Sequence, residues 1–367
     1  MIKILLLILI LFIFNLSYSE NFTSYFGYNK KTSLNKPLKN AIKTNKLNFS
    51  SLQNANLYIP LSYTHDPLLN KKNINENKSI FYINGCDNIV SKSKLWDHIN
   101  YKYGRNKAST IMPETFIYKK NNDIKIFKKK YIPKKLYILK NKLQRKKGLY
   151  LTDNYDFIIN GKNNGYTVIQ NYIHDAFTIN NRKLNIRLYF VIICYKNIFQ
   201  CHLYNNGKCI YTNNDYDYDS IDLHSHITSL DLNTKIYEIN PLTIKDLSSY
   251  MSQKKLNFKK LWNNIISNIK NIIHATKHTL YTDNEFKNNL SFQIFGPDVI
   301  IDTKLNTYIV EINKGPSMKS VLTKDFELKN NLYLDTFKLI KIFCEKNKIN
   351  KSFNHIYGNE NNFTQIY

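Results

Sequence analysis

Three side chains with oxygen donors lie within one stretch, Phe292–Met318: Asp298, Glu311 and Asn313. Two apolar, β-rich runs flank a polar turn at residues 303–306, which is the pattern of a β-hairpin. With the loop placed there, Asp302 faces Thr307, and counting outward along both strands Asp298 faces Glu311. Glu311 and Asn313 are two residues apart on one strand, so they share a face. The three groups then converge on one patch of sheet. Oxygen-only donors of this kind suit Mg²⁺, which takes one or two carboxylates and completes its shell with water and phosphate oxygens. Most carboxylate pairs on strands are instead exposed neighbours that repel each other. The flanking Val299, Ile300, Ile301, Ile309, Val310 and Ile312 argue for buried strands, where a carboxylate needs a partner.

Cations with regular spacing occupy two other stretches. In Lys135–Leu151 a short strand, Leu136–Leu139, ends at Lys140; a basic loop with Arg145, Lys146 and Lys147 follows, then Gly148 and a second strand. Such a hairpin holds cations over something negative, unless it is only a solvated basic turn. In Asn180–Arg187 the side chains of Lys183, Asn185 and Arg187 alternate onto one strand face. Apolar residues flank them, and Val168-Ile169-Gln170-Asn171-Tyr172-Ile173 precedes them.

Together these stretches resemble the tubulin-tyrosine-ligase-like family. The first hairpin matches a pattern F-E-L-F-G-x-D, a spacer, then a strand ending E-I/V-N-x-x-P-S/A, through Phe292, Phe295, Gly296, Asp298, Glu311, Asn313, Pro316 and Ser317. Met112–Phe116 resembles the V-P-x-T-F segment, residues 168–173 the hinge V-Q-[RK]-Y-I/L, residues 180–187 the run G-R-K-F-D-L-R, and residues 226–233 the run H-L-T-N-Y-S-I-N. The motifs run in the family's order from about Ser79 to Phe343.

The resemblance implies an α+β, ATP-grasp fold: a small N-terminal subdomain, and antiparallel sheets flanked by helices. It implies an ATP- and Mg²⁺-dependent ligase that joins an amino acid to a protein or peptide carboxylate through an acylphosphate. Lys140, Arg145, Gly148, Lys183, Asn185 and Thr228 would then hold the nucleotide, and the backbone around Gln170, Asn171, Tyr172 and Ile173 the adenine. Asp298, Glu311 and Asn313 would hold the metal. Glu311 would be catalytic, and Arg187 would stabilise the acylphosphate or bind a substrate carboxylate. The chain departs from the pattern at Asn141, which replaces a proline, and at Lys146, which replaces a loop glycine. Asn185 replaces an aspartate, Ser229 an asparagine, and Ile210 the arginine of the next strand. Of those departures, Ile210, Asn185 and Lys146 support an alternative: a catalytically impaired member that binds nucleotide or acts as a basic interaction protein.

The chain has 367 residues, sparse Gly and Pro (10 and 8) and abundant Tyr and Phe (28 and 21), which excludes a disordered protein and suggests two or three subdomains. Its net charge of +26 favours acidic partners: an acidic protein or peptide acceptor, a tubulin tail among them, beside a free amino acid. No compact basic motif with interleaved aromatics points to nucleic acid. Residues 1–19 read as a signal peptide or membrane anchor, with Ser17 and Ser19 ahead of a cleavage point at Glu20. This predicts the secretory pathway, or the cytoplasm if the segment is not a functional signal. Residues 20–78 form a polar leader and the start of an N-terminal subdomain, 79–134 its continuation, 135–343 the ligase core and 344–367 a polar tail.

Five cysteines with no paired spacing read as buried thiols, although a bridge among Cys194, Cys201 and Cys209 is open. Apolar periodicity predicts helices over Lys92–Tyr103, Phe258–Leu280 and Phe326–Phe343. The acidic run Asp215–Asp222 reads as a solvated loop.

Overall fold

The computed structural model describes residues 24–27, 34–60, 74–76, 78–141, 148–228, 233–280, 286–349, 356, 358 and 360–367. The proposed signal segment, Arg145, Lys146, Lys147 and Ser229 lie outside them. Among the described residues no helix is long and apolar enough to cross a membrane.

Two sheets carry the fold, one of 12 strands and one of 4. The axis of the larger is Leu290–Ile301, a strand of 12 residues, of which all but Ile300 are buried. On one side it pairs antiparallel first with Phe190–Tyr195 and then with Arg182–Arg187. On the other it pairs parallel with Ser79–Ile80 and antiparallel with Thr307–Asn313. A strand buried on both faces and both edges reads as a continuous apolar run, which is how this one looks.

Helices cover both faces. Alternate residues of Phe190–Tyr195 enter two different cores: Phe190, Ile192 and Cys194 join Leu261, Ile265, Ile269 and Ile272 of the Phe258–Thr276 helix. Val191 and Ile193 join Leu328, Leu332 and Ile340 of the Thr323–Lys346 helix. Each aliphatic side chain so buried contributes about 1.5–3 kcal/mol. The smaller sheet, ordered Thr115–Ile117, Val168–Asn171, Tyr137–Lys140 and Leu149–Thr152, is antiparallel throughout and packs against Asn121–Lys130 through Phe116, Phe127 and Tyr137.

The strands Phe190–Tyr195 and Ile198–Tyr204 form a hairpin reversed at Lys196 with φ 51°. Other sequence expectations change. The helix from Lys92 runs to Ala108, with non-helical backbone at Gly104. The segment read as a polar tail ends in Phe363–Gln365, an edge strand on Ile198–Tyr204, with Ile366 buried behind it. All five cysteines are free and buried.

Candidate functional site

The hairpin strands Leu290–Ile301 and Thr307–Asn313 pair Asp298 with Glu311 and Gly296 with Asn313. Nearer the turn the register differs from the sequence expectation: Ile301, not Asp302, faces Thr307, and Val299 faces Ile309. One residue, Val310, is therefore extra on the second strand, a β-bulge between Asp298 and Val299. Without it Glu311 would face Pro297 and point to the opposite side of the sheet, since a one-residue slip exchanges the faces. The bulge is what brings the two carboxylates together.

Arg187 arrives on the same face from the neighbouring strand, directly opposite Asp298. Its Nε and Nη2 donate to Asp298 Oδ1 and Oδ2 at 2.5 and 2.8 Å, a bidentate pair. Asn313 Nδ2 donates to Gly296 O at 3.2 Å and to Glu311 Oε1 at 3.4 Å, which leaves its Oδ1 as the donor for a cation. Lys140 reaches the patch from the smaller sheet, and Lys92, at the start of its helix, lies 3.7 Å from Glu311. Lys92 carried no motif signal; only its ion pair with Glu311 reveals it.

The charges shift one another. Burial pushes Asp298 up to about 6; the Arg187 guanidinium opposes this, and Glu311 beside it adds to the rise. Burial would also raise Glu311, but Lys92 and Lys140 hold it below its ordinary value. Burial pushes Lys140 down to about 8, against the pull of Glu311.

A divalent cation here would meet Asp298, Glu311 and the amide oxygen of Asn313. Among the described residues no group of three His, Cys, Asp or Glu could hold a metal. Two carboxylates and one amide oxygen leave the rest of the shell to water or phosphate, which matches Mg²⁺ rather than a closed zinc site. Both Asp298 oxygens are committed to Arg187, so a cation there competes with the guanidinium.

The other expected nucleotide residues fall into place unevenly. Gly148 sits against Asn141, where an added Cβ would come within 1.8 Å of Oδ1. The Gln170 side chain turns away, donating to Thr115 Oγ1 at 2.9 Å. Asn171 N donates to Glu114 O at 2.9 Å, tying the hinge strand back to the 112–116 segment, and Ile173 is half-buried. Lys183 shares its face with Asn185 and Arg187 but is withdrawn from the carboxylates: its Nζ donates to Tyr172 OH at 2.8 Å and lies 4.0 Å from that ring. Burial pushes it down to about 7. Tyr172 OH is 2.7 Å from His226 Nδ1, and His226 Nε2 is 2.6 Å from Ser220 O. A carbonyl only accepts, so Nε2 carries the proton and the Tyr172 hydroxyl donates to Nδ1. Asn185 Nδ2 donates to Thr228 Oγ1 at 3.3 Å, while its buried Oδ1 has no partner among the described residues. Directly opposite Asn185 stands Ile210, so the two departures on that face are cross-strand neighbours.

A model of the tubulin-tyrosine ligase family matches residues 70–350. Human tubulin polyglutamylase TTLL6 is 26% identical over 221 residues, covering 55% of this chain and 24% of that protein. The probable tubulin polyglutamylase TTLL9 of rat is 25% identical over 183 residues, covering 47% of this chain and 38% of that protein. The probable beta-tubulin polyglutamylase of Tetrahymena thermophila is 26% identical over 254 residues, covering 62% and 21%. The matched stretch thus spans well under half the length of each relative. The family model covers most of the chain, and its limits enclose the carboxylate hairpin, the Lys140 strand and the Arg187 strand: the chain belongs to the tubulin-tyrosine ligase family.

Proposed function

We propose that the chain is an ATP- and Mg²⁺-dependent ligase that joins an amino acid to a carboxylate of a protein or peptide by way of an acylphosphate. One observation carries this reading: Arg187, Asp298, Glu311 and Asn313 share one sheet face, and Lys140 and Lys92 are brought to Glu311 from two other elements. Asp298, Glu311 and Asn313 would hold the metal, whose part is to neutralise charge on the phosphoryl group. Lys140 would steady the phosphates, and Arg187 would stabilise the acylphosphate or bind the substrate carboxylate. The names of the relatives make a tubulin tail one candidate acceptor; the wider class is an acidic peptide segment.

Saturating Mg·ATP should raise the melting temperature of the full chain by mass action. Glu311→Gln should keep the fold, because Glu311 is half-buried and retains its shape, yet lower ATP turnover by about a hundredfold or more. Wild-type turnover in Glu311→Gln would remove the metal assignment.

A second reading, a nucleotide binder without ligase activity, is favoured by one feature. Asn185, whose Oδ1 has no partner among the described residues, stands opposite an aliphatic Ile210, so that pair of positions contributes no charge to the cleft. A Mg·ATP-induced melting shift with no turnover on any acidic peptide would select it.

A further inference from the structure

We propose that the outer face of the Asn121–Lys130 helix, with the turn that follows it, is a docking surface for an anionic lipid bilayer. Residues 119–135 hold 8 lysines, no arginine and one acidic residue, Asp123; 8 basic residues in 17 is about three times the density of the whole chain, 53 in 367. Asp123 does not neutralise them. It is buried on the inner side of the helix, where Arg105 donates to its Oδ1 and Ile117 N to its Oδ2 at 2.9 Å. Lys120 and Lys130 are paired with Asp97 and Glu114. Among the described residues Lys119, Lys125, Lys128, Lys129 and Lys134 have no carboxylate partner, and all five are exposed. Phe127 anchors the other side of the helix in the core of the smaller sheet, so Lys125, Lys128 and Lys129, three and four residues apart, form one outward stripe. The turn after them is fixed: Ile132 N donates to Tyr137 OH at 3.1 Å, and Lys135 N to Ile132 O at 3.2 Å.

Two large apolar side chains stand beside these cations: Ile132 is 53% exposed and Tyr101 92%. Tyr101 lies one helical turn beyond Asp97, the partner of Lys120, on the same side of the Lys92–Ala108 helix. An acidic peptide uses the cations alone. A bilayer also takes up an aliphatic side chain and seats a tyrosine at the level of its headgroups. The absence of arginine points the same way, because its planar fork suits single carboxylates and phosphates, whereas lysine acts as a point charge in a diffuse field. The surface is separate from the candidate site. Tyr137 and Leu139 enter the core under the helix, and Ile138 the core on the other face of the sheet. Lys140 shares the side of Ile138, toward Glu311. The smaller sheet thus stands between the lysine stripe and the carboxylates, and the inference does not rest on the ligase reading.

The full chain is sedimented with vesicles of phosphatidylcholine alone and of phosphatidylcholine mixed with phosphatidylserine. The apolar run in residues 1–19 adds a background common to both, so the difference between them is read. Binding should be stronger to the anionic vesicles and fall as salt is raised. Lys128→Gln together with Lys129→Gln removes two charges from the stripe and should weaken that binding about thirtyfold. Ile132→Ser should weaken it about tenfold and leave its salt dependence in place. Both variants change exposed side chains, so the melting temperature and the Mg·ATP melting shift should stay at the wild-type values. Equal binding to the two kinds of vesicle, or unchanged binding in either variant, would overturn the proposal. So would displacement from the vesicles by a Glu-rich peptide whose own affinity falls in the double lysine variant, because the stripe would then take acidic polypeptide. Vesicle binding needs no nucleotide, so it stands or falls apart from the ligase reading.

Discussion

Lys140 and Lys183 are ammonium groups held where water does not reach them, and their protonation is the first property a nucleotide would meet. Burial lowers Lys140 to about 8 and Lys183 to about 7, from an unfolded value of about 10.4. The folded chain releases these protons at lower pH than the unfolded chain, so their burial opposes folding most below pH 7. That cost declines as pH rises from about 7 toward 10. Nucleotide phosphates favour the charged forms. ATP affinity should therefore be highest near neutrality and fall between pH 7 and 9, with protons taken up on binding at pH 8. Calorimetry in two buffers of different ionisation enthalpy measures that uptake. Constant affinity across this interval, with no proton uptake, would show that neither lysine meets the phosphates. The chain Lys183–Tyr172–His226–Ser220 adds a constraint. Lys183 must leave the Tyr172 hydroxyl to reach a ligand, so Tyr172→Phe should strengthen ATP binding rather than weaken it, if the chain folds unchanged.

At the scale of elements, the hairpin was largely legible and its register was not. Alternating apolar residues and a polar turn marked both strands, and Asp298 was matched correctly with Glu311. That match arose from two offsetting departures: the turn is one residue wider than expected, and Val310 is inserted beyond it. A bulge leaves no mark in apolar periodicity, because Val310 sits among residues as aliphatic as itself. Lys208, which faces Arg187 across a strand pair, and Lys92 were illegible for a different reason: each joins the site through contacts far apart in sequence. The final strand was missed because Phe363–Gln365 is short and half polar, and its place depends on the free edge of Ile198–Tyr204.

The turn itself rests on Asp302. Its Oδ1 accepts from Lys304 N at 2.9 Å and Asn306 N at 2.8 Å, and its Oδ2 from Asn306 Nδ2 at 2.8 Å. Asp302→Ala leaves those donors without a partner and should cost about 1–3 kcal/mol, seen as a lower denaturant midpoint. The carboxylates lie beyond the bulge, so the Mg·ATP melting shift should persist in the folded variant. Loss of both together would mean that the turn, and not the bulge, sets the site register.

At the scale of the whole molecule, 53 basic residues against 27 acidic ones give a net charge of +26. Cations are spread along the chain, as a composition rich in Lys and Asn produces without any binding function. Yet the site collects more than a uniform share: Lys92, Lys140, Arg187, Lys208 and Lys329 surround three carboxylates, Asp298, Glu311 and Asp325. A cleft of one sign with low-dielectric walls concentrates ligands of the other sign. The acceptor expected on this ground is an acidic peptide segment, whether a tubulin tail or, if residues 1–19 direct secretion, an acidic protein of that compartment. Screening shortens the reach of surface charges to about 8 Å at physiological ionic strength. Affinity for a Glu-rich peptide should therefore fall steeply from low to moderate salt, while a neutral peptide of scrambled sequence binds weakly at both. If charge were merely spread over the surface, Lys208→Met would leave the salt slope unchanged, because one lysine among 53 basic residues is a small part of the total. If the cleft is where the peptide lies, the same substitution should flatten the slope measurably. Equal affinity for the two peptides would remove charge as the basis of acceptor choice.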